Sequence, residues 1–169
     1  NPTEEVERLR VEQKEMDYLK PDEIHLLLKN SDEPYRSLFM TAVMTGMRRG
    51  ELLGFQWGDI DWNANVMRVR RSLYWQSKSE QVDGGQAEAG QWRFSTPKSR
   101  RSIRNIRISS ILKEALELHR LSCPSSPYDL VFCTRKGNPI NANNMVKREF
   151  LPALARVRLD DQRQPPAVG

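Results

Sequence analysis

The sequence is poor in cysteine and histidine, with two of each among 169 residues. Cys123 and Cys133 have no partner in a Cys-x-x-Cys pair, and His25 and His119 lack the spacing of metal ligands. We therefore expect no metal site and no cofactor. Each cysteine is interpreted as a buried or incidental thiol.

Long apolar runs are also missing. No uncharged apolar run approaches the length of a membrane helix, and the charged N-terminal residues do not resemble a signal peptide. A hydrophobic fraction of 38% is typical of a globular domain with one core. These features predict a cytoplasmic protein with no membrane partner.

Positive charge is distributed unevenly along the chain. The first 33 residues contain five Lys and Arg against ten Asp and Glu, a balance of −5. The remainder therefore carries +10, although the net charge is only +5. A basic domain of this kind favours an anionic polymer as its partner, and DNA or RNA is the first candidate.

The most informative stretch is TGMRRGELLGFQWGDID, which runs from Thr45 to Asp61. Arg48 and Glu51 are three residues apart and are expected to share one face of a short helix, which Gly46 introduces. Such an arginine can present its planar set of donors to a phosphate, although most pairs at this spacing are surface ion pairs. The apolar residues of this region are spaced for burial: Met44, Leu52, Leu53, Phe55 and Trp57.

The pattern Thr-Gly-x-Arg-x-x-Glu-Leu, followed by an aromatic residue and Asp-Ile-Asp, resembles the first arginine box of the tyrosine recombinases, the phage integrase family. The resemblance implies that Arg48 is one of two arginines that bind the scissile phosphate, and that Glu51 is the acidic residue supporting the site. Arg49 matches no required position, and we interpret it as a solvated charge or a contact to the DNA backbone.

Several helices are predicted around this box. One begins at Pro21 and ends near Asn30, and the next begins at Pro34 and carries Leu38, Phe39, Ala42 and Val43 on its apolar face. Ser109 or Ser110 caps a later helix whose Ile111, Leu112, Ala115, Leu116 and Leu118 face the core. Asn141 to Asn144 cap a further helix with Met145, Val146, Phe150 and Leu154 on its apolar face.

Strands are predicted between these helices. Residues 66–73 alternate as one strand with Arg68 and Arg70 on the same face. The polar residues 76–91 predict a long hairpin loop. Residues 92–96 and 103–108 are then two strands joined by a turn at Pro97-Lys98-Ser99.

The turn after residue 96 is strongly basic. Thr-Pro-Lys-Ser, followed by Ser-x-Arg-x-Ile, resembles the β-hairpin that carries the catalytic lysine of the recombinases. The resemblance implies that Lys98 protonates the 5′-oxygen leaving group when a strand is cut. Arg100, Arg101 and Arg104 are candidate contacts to the DNA backbone, although a solvated basic strand pair is the alternative.

The rest of the family pattern does not occur in this sequence. A complete member continues into a His-x-x-Arg box, a further histidine or tryptophan, and a tyrosine nucleophile. Neither histidine here has an arginine three residues later, and the four tyrosines precede the position where the nucleophile belongs. We therefore expect no DNA cleavage by this chain alone, and expect residues 1–20 to be an arm, 21–157 a partial catalytic domain and 158–169 an irregular tail.

The combined prediction is an α+β domain with helices packed around a small antiparallel three-stranded sheet. By resemblance, its function is site-specific DNA recombination or integration through a 3′-phosphotyrosyl intermediate, with no metal ion, no cofactor and no small-molecule substrate. The expected partner is double-stranded DNA, with a homo-oligomer on the DNA as a further possibility. The alternatives are a non-catalytic DNA-binding or regulatory module and, on charge alone, an RNA-binding domain.

Overall fold

The computed structural model describes residues 18–77, 90–95 and 103–161, with side chains through Val157. The helices in these ranges are α1 (Pro21–Lys29), α2 (Tyr35–Thr45), α3 (Arg49–Leu53), α4 (Ser110–Ser122), α5 (Ala142–Asn144) and α6 (Leu151–Asp161). The strands are β1 (Ile60–Asp61), β2 (Val66–Val69), β3 (Ser72–Gln76), β4 (Gln91–Ser95) and β5 (Arg104–Arg107). No helix among the described residues is long and apolar enough to cross a membrane.

The strands form two antiparallel sheets. The three-stranded sheet has the order β1-β2-β5, which confirms the predicted small antiparallel sheet. A separate two-stranded sheet consists of β3 and β4, with Gln76 opposite Gln91. Most of the predicted loop, residues 78–89, lies outside the described residues, and its predicted end residues, Gln76 and Gln91, belong to the two strands.

The strand predictions were wrong in two respects: residues 66–73 were predicted as one strand, and residues 92–96 were predicted to form a hairpin with residues 103–108. Residues 66–73 do not form a single strand, because the chain leaves the first sheet after Val69 and enters the second at Ser72. Consequently β4 pairs with β3, whereas β5 pairs with β2, opposite residues that precede the break. The strands on either side of Lys98 therefore belong to different sheets.

Local sequence signals explain how three helices begin. Helix α1 starts at Pro21, whose missing N–H is not required at a first helical position. The Ser109 hydroxyl accepts a hydrogen bond from the Leu112 amide and caps α4. Asn141 caps α5 in the same way, by accepting bonds from the amides of Asn143 and Asn144.

The helical segment that begins at Ala142 changes its winding before a proline. Residues Met145–Phe150 are π-helical and lead directly into α6, whose second residue is Pro152. Proline has no N–H to donate, and its ring crowds the carbonyl group four residues earlier. The wider π-turn before Pro152 accommodates this ring.

The core is continuous between the helices and the three-stranded sheet. Its largest fully buried side chains are Phe55, Phe132, Leu27, Leu38, Met67, Leu112, Leu116, Leu130, Ile140, Val69, Val131 and Val157. Helix α3 contacts α2, α5 and β3. These contacts fix the orientation of the short helix that follows Arg48.

Four residues predicted to face the core are exposed instead. Val43 and Met44 are 48% and 41% exposed at the end of α2, and Ile111 and Leu118 are 63% and 62% exposed on α4. In α2 the buried turn ends earlier, and Met47 beyond Gly46 is buried in place of Met44. In α4 only a narrow stripe, which includes Leu112, Leu116 and the polar His119, meets the core.

Candidate active site

The loop after α2 directs Arg48 toward solvent. Gly46 ends the helix in the left-handed region at φ 61°, which a residue with a side chain rarely adopts. Met47 is then buried, and Arg48 is the residue immediately before α3. Its side chain is 76% exposed, so most of the guanidinium is free to bind a ligand.

Glu51 is the polar centre of this region and is only 6% exposed. Its Oε2 accepts a hydrogen bond from the Arg48 backbone N–H at 2.8 Å, and its Oε1 accepts one from Arg48 Nη1 at 3.3 Å. Arg104 donates two further bonds, at 3.0 Å to Oε1 and at 2.8 Å to Oε2. Both carboxylate oxygens therefore have two donors, which accounts for the burial of a charged group.

These contacts keep Glu51 ionised. The hydrogen bonds from Arg104 lower the pKa of Glu51, burial opposes that change, and the bonds from Arg48 lower the pKa further. Hydrogen bonding to Glu51 in turn raises the pKa of Arg104. Two guanidinium groups thus share one carboxylate, and we call Arg48, Glu51 and Arg104 the Arg48 cluster. The cluster retains one unneutralised positive charge, which suits the binding of an oxyanion.

Arg49 faces a different part of the surface. It lines a cavity of about 470 Å³ together with Trp75 and Trp92 of the two-stranded sheet and Asn141 and Asn143 near α5. The two tryptophan rings meet edge to face, with centroids 5.2 Å apart. The lining of the cavity thus contains a cation, two amide groups and two aromatic rings. Arg48, Glu51 and Arg104 are not part of that lining, although Arg49 directly follows Arg48.

The predicted site residues are only partly brought together. Arg48 and Glu51 are in contact, as their spacing indicated, whereas Lys98, Arg100 and Arg101 lie outside the described residues. Arg104, which is also predicted to contact the DNA backbone, directs its guanidinium at Glu51. Sequence reasoning missed this contact because the two residues are 53 positions apart.

A second ionic cluster was also missed. Asp59 is 1% exposed and accepts hydrogen bonds from Arg70 and Arg71, and Asp61 accepts one from Arg68. Arg68 of β2, and Arg70 and Arg71 between β2 and β3, are therefore paired with the acids of the Asp-Ile-Asp motif. The sequence indicated only that Arg68 and Arg70 share one face of a strand, and it did not indicate which acids they would meet.

The two cysteines lie together, away from the Arg48 cluster. Their sulfur atoms are 3.9 Å apart, and both line a pocket that also includes His119 and Glu33. The His119 ring stacks on Phe132, and its Nε2 lies 2.7 Å from the Val131 carbonyl oxygen. His119 is thus a core residue with polar partners.

Comparison with known sequences defines the class of protein. The model of the phage integrase family matches residues 17–164, which is most of the chain. The chain therefore belongs to the phage integrase family, the tyrosine recombinases. This finding confirms the resemblance seen at the arginine box.

Two curated relatives illustrate the similarity. The chain is 34% identical over 130 residues to a tyrosine recombinase XerC-like protein of Caldanaerobacter subterraneus subsp. tengcongensis, covering 66% of this chain and 31% of that protein. It is 32% identical over 120 residues to the ICEBs1 integrase of Bacillus subtilis, covering 69% of this chain and 29% of the relative. The chain thus spans about a third of the length of these relatives.

Solved structures share the fold. The Tn1549 transposon integrase, in complex with a circular intermediate DNA, superposes with a TM-score of 0.67 at 17% identity, over 95% of this chain and 51% of that one. The XerA recombinase gives a TM-score of 0.57 at 18% identity, over 85% of this chain and 44% of that one. The predicted α+β class and its relation to recombinase catalytic domains are confirmed.

Proposed function

We propose that this chain supplies the phosphate-binding part of a tyrosine recombinase active site, which cuts and rejoins double-stranded DNA in site-specific recombination or integration. Arg48 binds the scissile phosphate, Glu51 supports it, and Lys98 is the acid that protonates the leaving oxygen. The protein acts in the cytoplasm, on DNA, and functions as a homo-oligomer assembled on that DNA. The named relatives, which include integrases and recombinases, support this assignment.

The observation that carries the proposal is the contrast between Arg48 and the residue that holds it. The Arg48 guanidinium is 76% exposed, yet its backbone amide and one of its side-chain nitrogens are bonded to a carboxylate that is only 6% exposed. A cation that is fixed at its base and open at its tip is preorganised for an anion. A surface ion pair with two exposed partners would have no such fixed base.

The chemistry follows from the charge that develops on phosphorus. When a tyrosine hydroxyl attacks the phosphodiester, negative charge accumulates on the non-bridging oxygens and then on the departing 5′-oxygen. Arg48 neutralises the first with donated hydrogen bonds, and Lys98 transfers a proton to the second. By family resemblance, the tyrosine and the second arginine belong to a region that follows the stretch matched here.

Binding of the DNA backbone uses positive charge outside the cluster. Arg49 is exposed and directly follows Arg48, and Arg100 and Arg101 are close to Lys98 in the basic sequence Lys98-Ser99-Arg100-Arg101. Each phosphate neutralised by such a residue releases counterions, so that affinity falls as salt is raised. We assign these three arginines to sequence-independent contacts with the duplex.

Titration of a labelled DNA duplex at several salt concentrations tests this function. The logarithm of the affinity is expected to fall linearly with the logarithm of the salt concentration, with a slope of about −0.9 for each phosphate contacted. Changing Arg49, Arg100 and Arg101 together to Met is expected to flatten that slope by about 2–3. The matched control changes Arg135, Lys136 and Arg148 to Met, which removes the same charge from other exposed positions.

Two outcomes would contradict the proposal. Absence of binding at low ionic strength would remove nucleic acid as the partner. Equal flattening by the test and control variants would show that net charge alone governs the affinity, without a defined DNA surface. Arg48→Lys, which keeps the charge but cannot make the two-point contact of a guanidinium with a phosphate, is expected to weaken binding by about tenfold while leaving the salt slope unchanged.

A further inference from the structure

The Arg104 side chain has a role that its position in the basic segment does not indicate. It begins β5, which pairs with β2, and its register places Arg104 opposite Val69. From there its two terminal nitrogens contact the two oxygens of Glu51, at 3.0 and 2.8 Å. This is the two-point geometry in which a guanidinium holds a carboxylate in one plane and one orientation.

The same carboxylate holds Arg48. Glu51 Oε2 accepts the Arg48 backbone N–H at 2.8 Å and is also the atom bonded by Arg104 Nη2. Glu51 Oε1 is likewise shared, between Arg48 Nη1 and Arg104 Nη1. Each Glu51 oxygen therefore accepts one hydrogen bond from Arg104 and one from Arg48, so the two arginines are connected through both carboxylate oxygens.

We propose that Arg104 is a positioning residue, which orients Arg48 for its phosphate by fixing Glu51, and that it does not itself contact DNA. The proposal rests on the proposed function for the identity of the ligand, and it reassigns Arg104 from the DNA-contact group to the support of the site. Arg104 is 32% exposed, whereas Arg48 is 76% exposed, so Arg48 is the better placed of the two to meet a ligand.

Without Arg104, Glu51 would lose its strongest partners. Arg48 and Arg104 are the charged groups bonded to Glu51 among the described residues, and the bonds from Arg104 are the largest cause that lowers its pKa. Glu51 is nearly buried, and a buried carboxylate with fewer donors is less favourable as an ion and free to rotate. The Arg48 amide and guanidinium would then lose their fixed acceptor.

Hydrogen exchange at the Arg48 amide tests the positioning step without DNA. This amide donates to Glu51 Oε2, so it is expected to exchange slowly in the native chain and about tenfold or more faster in Glu51→Gln and Arg104→Met. The control is Arg107→Met, which removes a charge from an exposed residue of the same strand whose side chain lies on the opposite face. Arg104→Lys should restore protection in part, since one ammonium can replace a single point of contact.

A double-mutant cycle on DNA affinity separates positioning from direct contact. In the native background, Arg104→Met is expected to weaken DNA binding by about tenfold. In the Glu51→Gln background, Arg104→Met is expected to weaken binding no more than Arg107→Met does. If Arg104 contacted phosphate directly, its loss would be equal in both backgrounds and the salt slope would flatten by about 0.9. That result would overturn the proposal, as would unchanged amide exchange in Arg104→Met.

The two experiments distinguish failure of the inference from failure of the proposed function. If the native chain binds no DNA but Arg104→Met still speeds exchange at the Arg48 amide, the positioning role stands and the ligand is wrong. If the native chain binds DNA but the effects of Arg104→Met and Glu51→Gln on affinity are additive, the proposed function stands and Arg104 contacts the DNA directly. Should Arg104→Met unfold, the Arg104→Lys variant supplies both measurements, with intermediate exchange and intermediate affinity expected.

Discussion

Three arginines of this protein differ in what their guanidinium groups contact. Arg48, Arg70 and Arg104 are all arginines in basic stretches, yet each has a different environment. Arg70 donates two bonds to the buried Asp59, Arg104 donates two to the buried Glu51, and Arg48 leaves most of its guanidinium in solvent. Only the last of these is suited to an external anion.

The Glu51 carboxylate is expected to make stability depend on pH. Its pKa is lowered in the folded chain, so the stabilisation it provides is present above its unfolded value of about 4.3 and is lost as the pH falls through the lower folded value. Glu51→Gln is therefore expected to be less stable by about 1–3 kcal/mol at pH 7. Urea unfolding at pH 7 and at pH 3 measures the difference.

The difference in stability between Glu51→Gln and the native chain should narrow at pH 3, because that pH lies below the unfolded pKa of about 4.3 and part of the stabilisation from the lowered pKa of Glu51 is then lost. Asp22→Asn, at an exposed position of α1, is the matched control. A gap between Glu51→Gln and the native chain that stays constant from pH 7 to pH 3 would contradict an ionised Glu51.

The two cysteine thiols are expected to react slowly and at different rates. Burial raises the pKa of Cys133 to about 12, with the neighbouring Cys123 thiol contributing, and burial also raises the pKa of Cys123. Because the thiolate is the reactive species, iodoacetamide at pH 8 should label the partly buried Cys123 before the fully buried Cys133. Peptide mapping by mass spectrometry identifies the order, and both should react at one rate in urea. Faster labelling of Cys133 in the native chain would contradict these environments.

Among the elements, α3 depends on a close approach to β3. A Cβ atom at Gly54 would lie 2.9 Å from the Leu73 backbone nitrogen, and one at Gly50 would meet the Ser72 hydroxyl. The first contact is with backbone, whereas the second is with a side chain that can rotate. These glycines let the short helix after Arg48 rest directly on a strand.

Substitution of the two glycines is expected to have unequal effects. Gly54→Ala should destabilise the fold by about 1–3 kcal/mol, because the strand backbone cannot move away easily. Gly50→Ala should cost less, since the Ser72 side chain can change rotamer and alanine is a better helix former than glycine. Urea unfolding of both variants measures the contrast, and equal stabilities would show that α3 and β3 are not closely packed.

The pairing of strands could be predicted only in part. The alternating segments and the polar loop indicated the β3–β4 hairpin correctly. The break between β2 and β3 was missed, because Arg70 continues the alternation set by Arg68, whereas the side chains of Arg70 and Arg71 turn back to Asp59. A pattern of period two reports which residues can form strands, but it does not report where one strand changes sheets.

At the scale of the whole molecule, the Arg48 cluster is assembled from three distant parts of the chain. The loop after α2 supplies Arg48, α3 supplies Glu51, and β5 supplies Arg104. The three-stranded sheet sets the distance between them through the pairing of β2 with β5. The tertiary fold therefore brings the charged groups of Arg48, Glu51 and Arg104 into contact, and the proposed reaction depends on that contact.

The roles of Arg48 and Lys98 can be separated in an active enzyme. We consider this chain joined to the segment that follows the matched region in the ICEBs1 integrase of Bacillus subtilis. Arg48→Ala and Lys98→Ala should each lower the rate of DNA cleavage by about 10²–10³, as for other preorganised ligands of a transition state. A substrate with sulfur at the 5′ leaving position needs no proton and should rescue Lys98→Ala alone. Equal rescue of both variants would remove Lys98 from the role of acid.

The sequence by itself determined the local features of this protein. Gly46 ends a helix, Arg48 and Glu51 lie close enough to bond, and Pro21, Ser109 and Asn141 begin helices, because these effects act over a few residues. The family assignment also follows from the sequence, through the spacing of the arginine box.

The tertiary structure decided which charges are available. Glu51 and Arg104 meet across 53 positions only because β5 pairs with β2 in one register, and a slip of one residue would turn Arg104 to the other face of the sheet. It likewise buries Met47 in place of Met44 and leaves Ile111 and Leu118 in solvent. Packing selects among faces that are equally apolar in the sequence, and long-range pairing selects among arginines that are chemically identical.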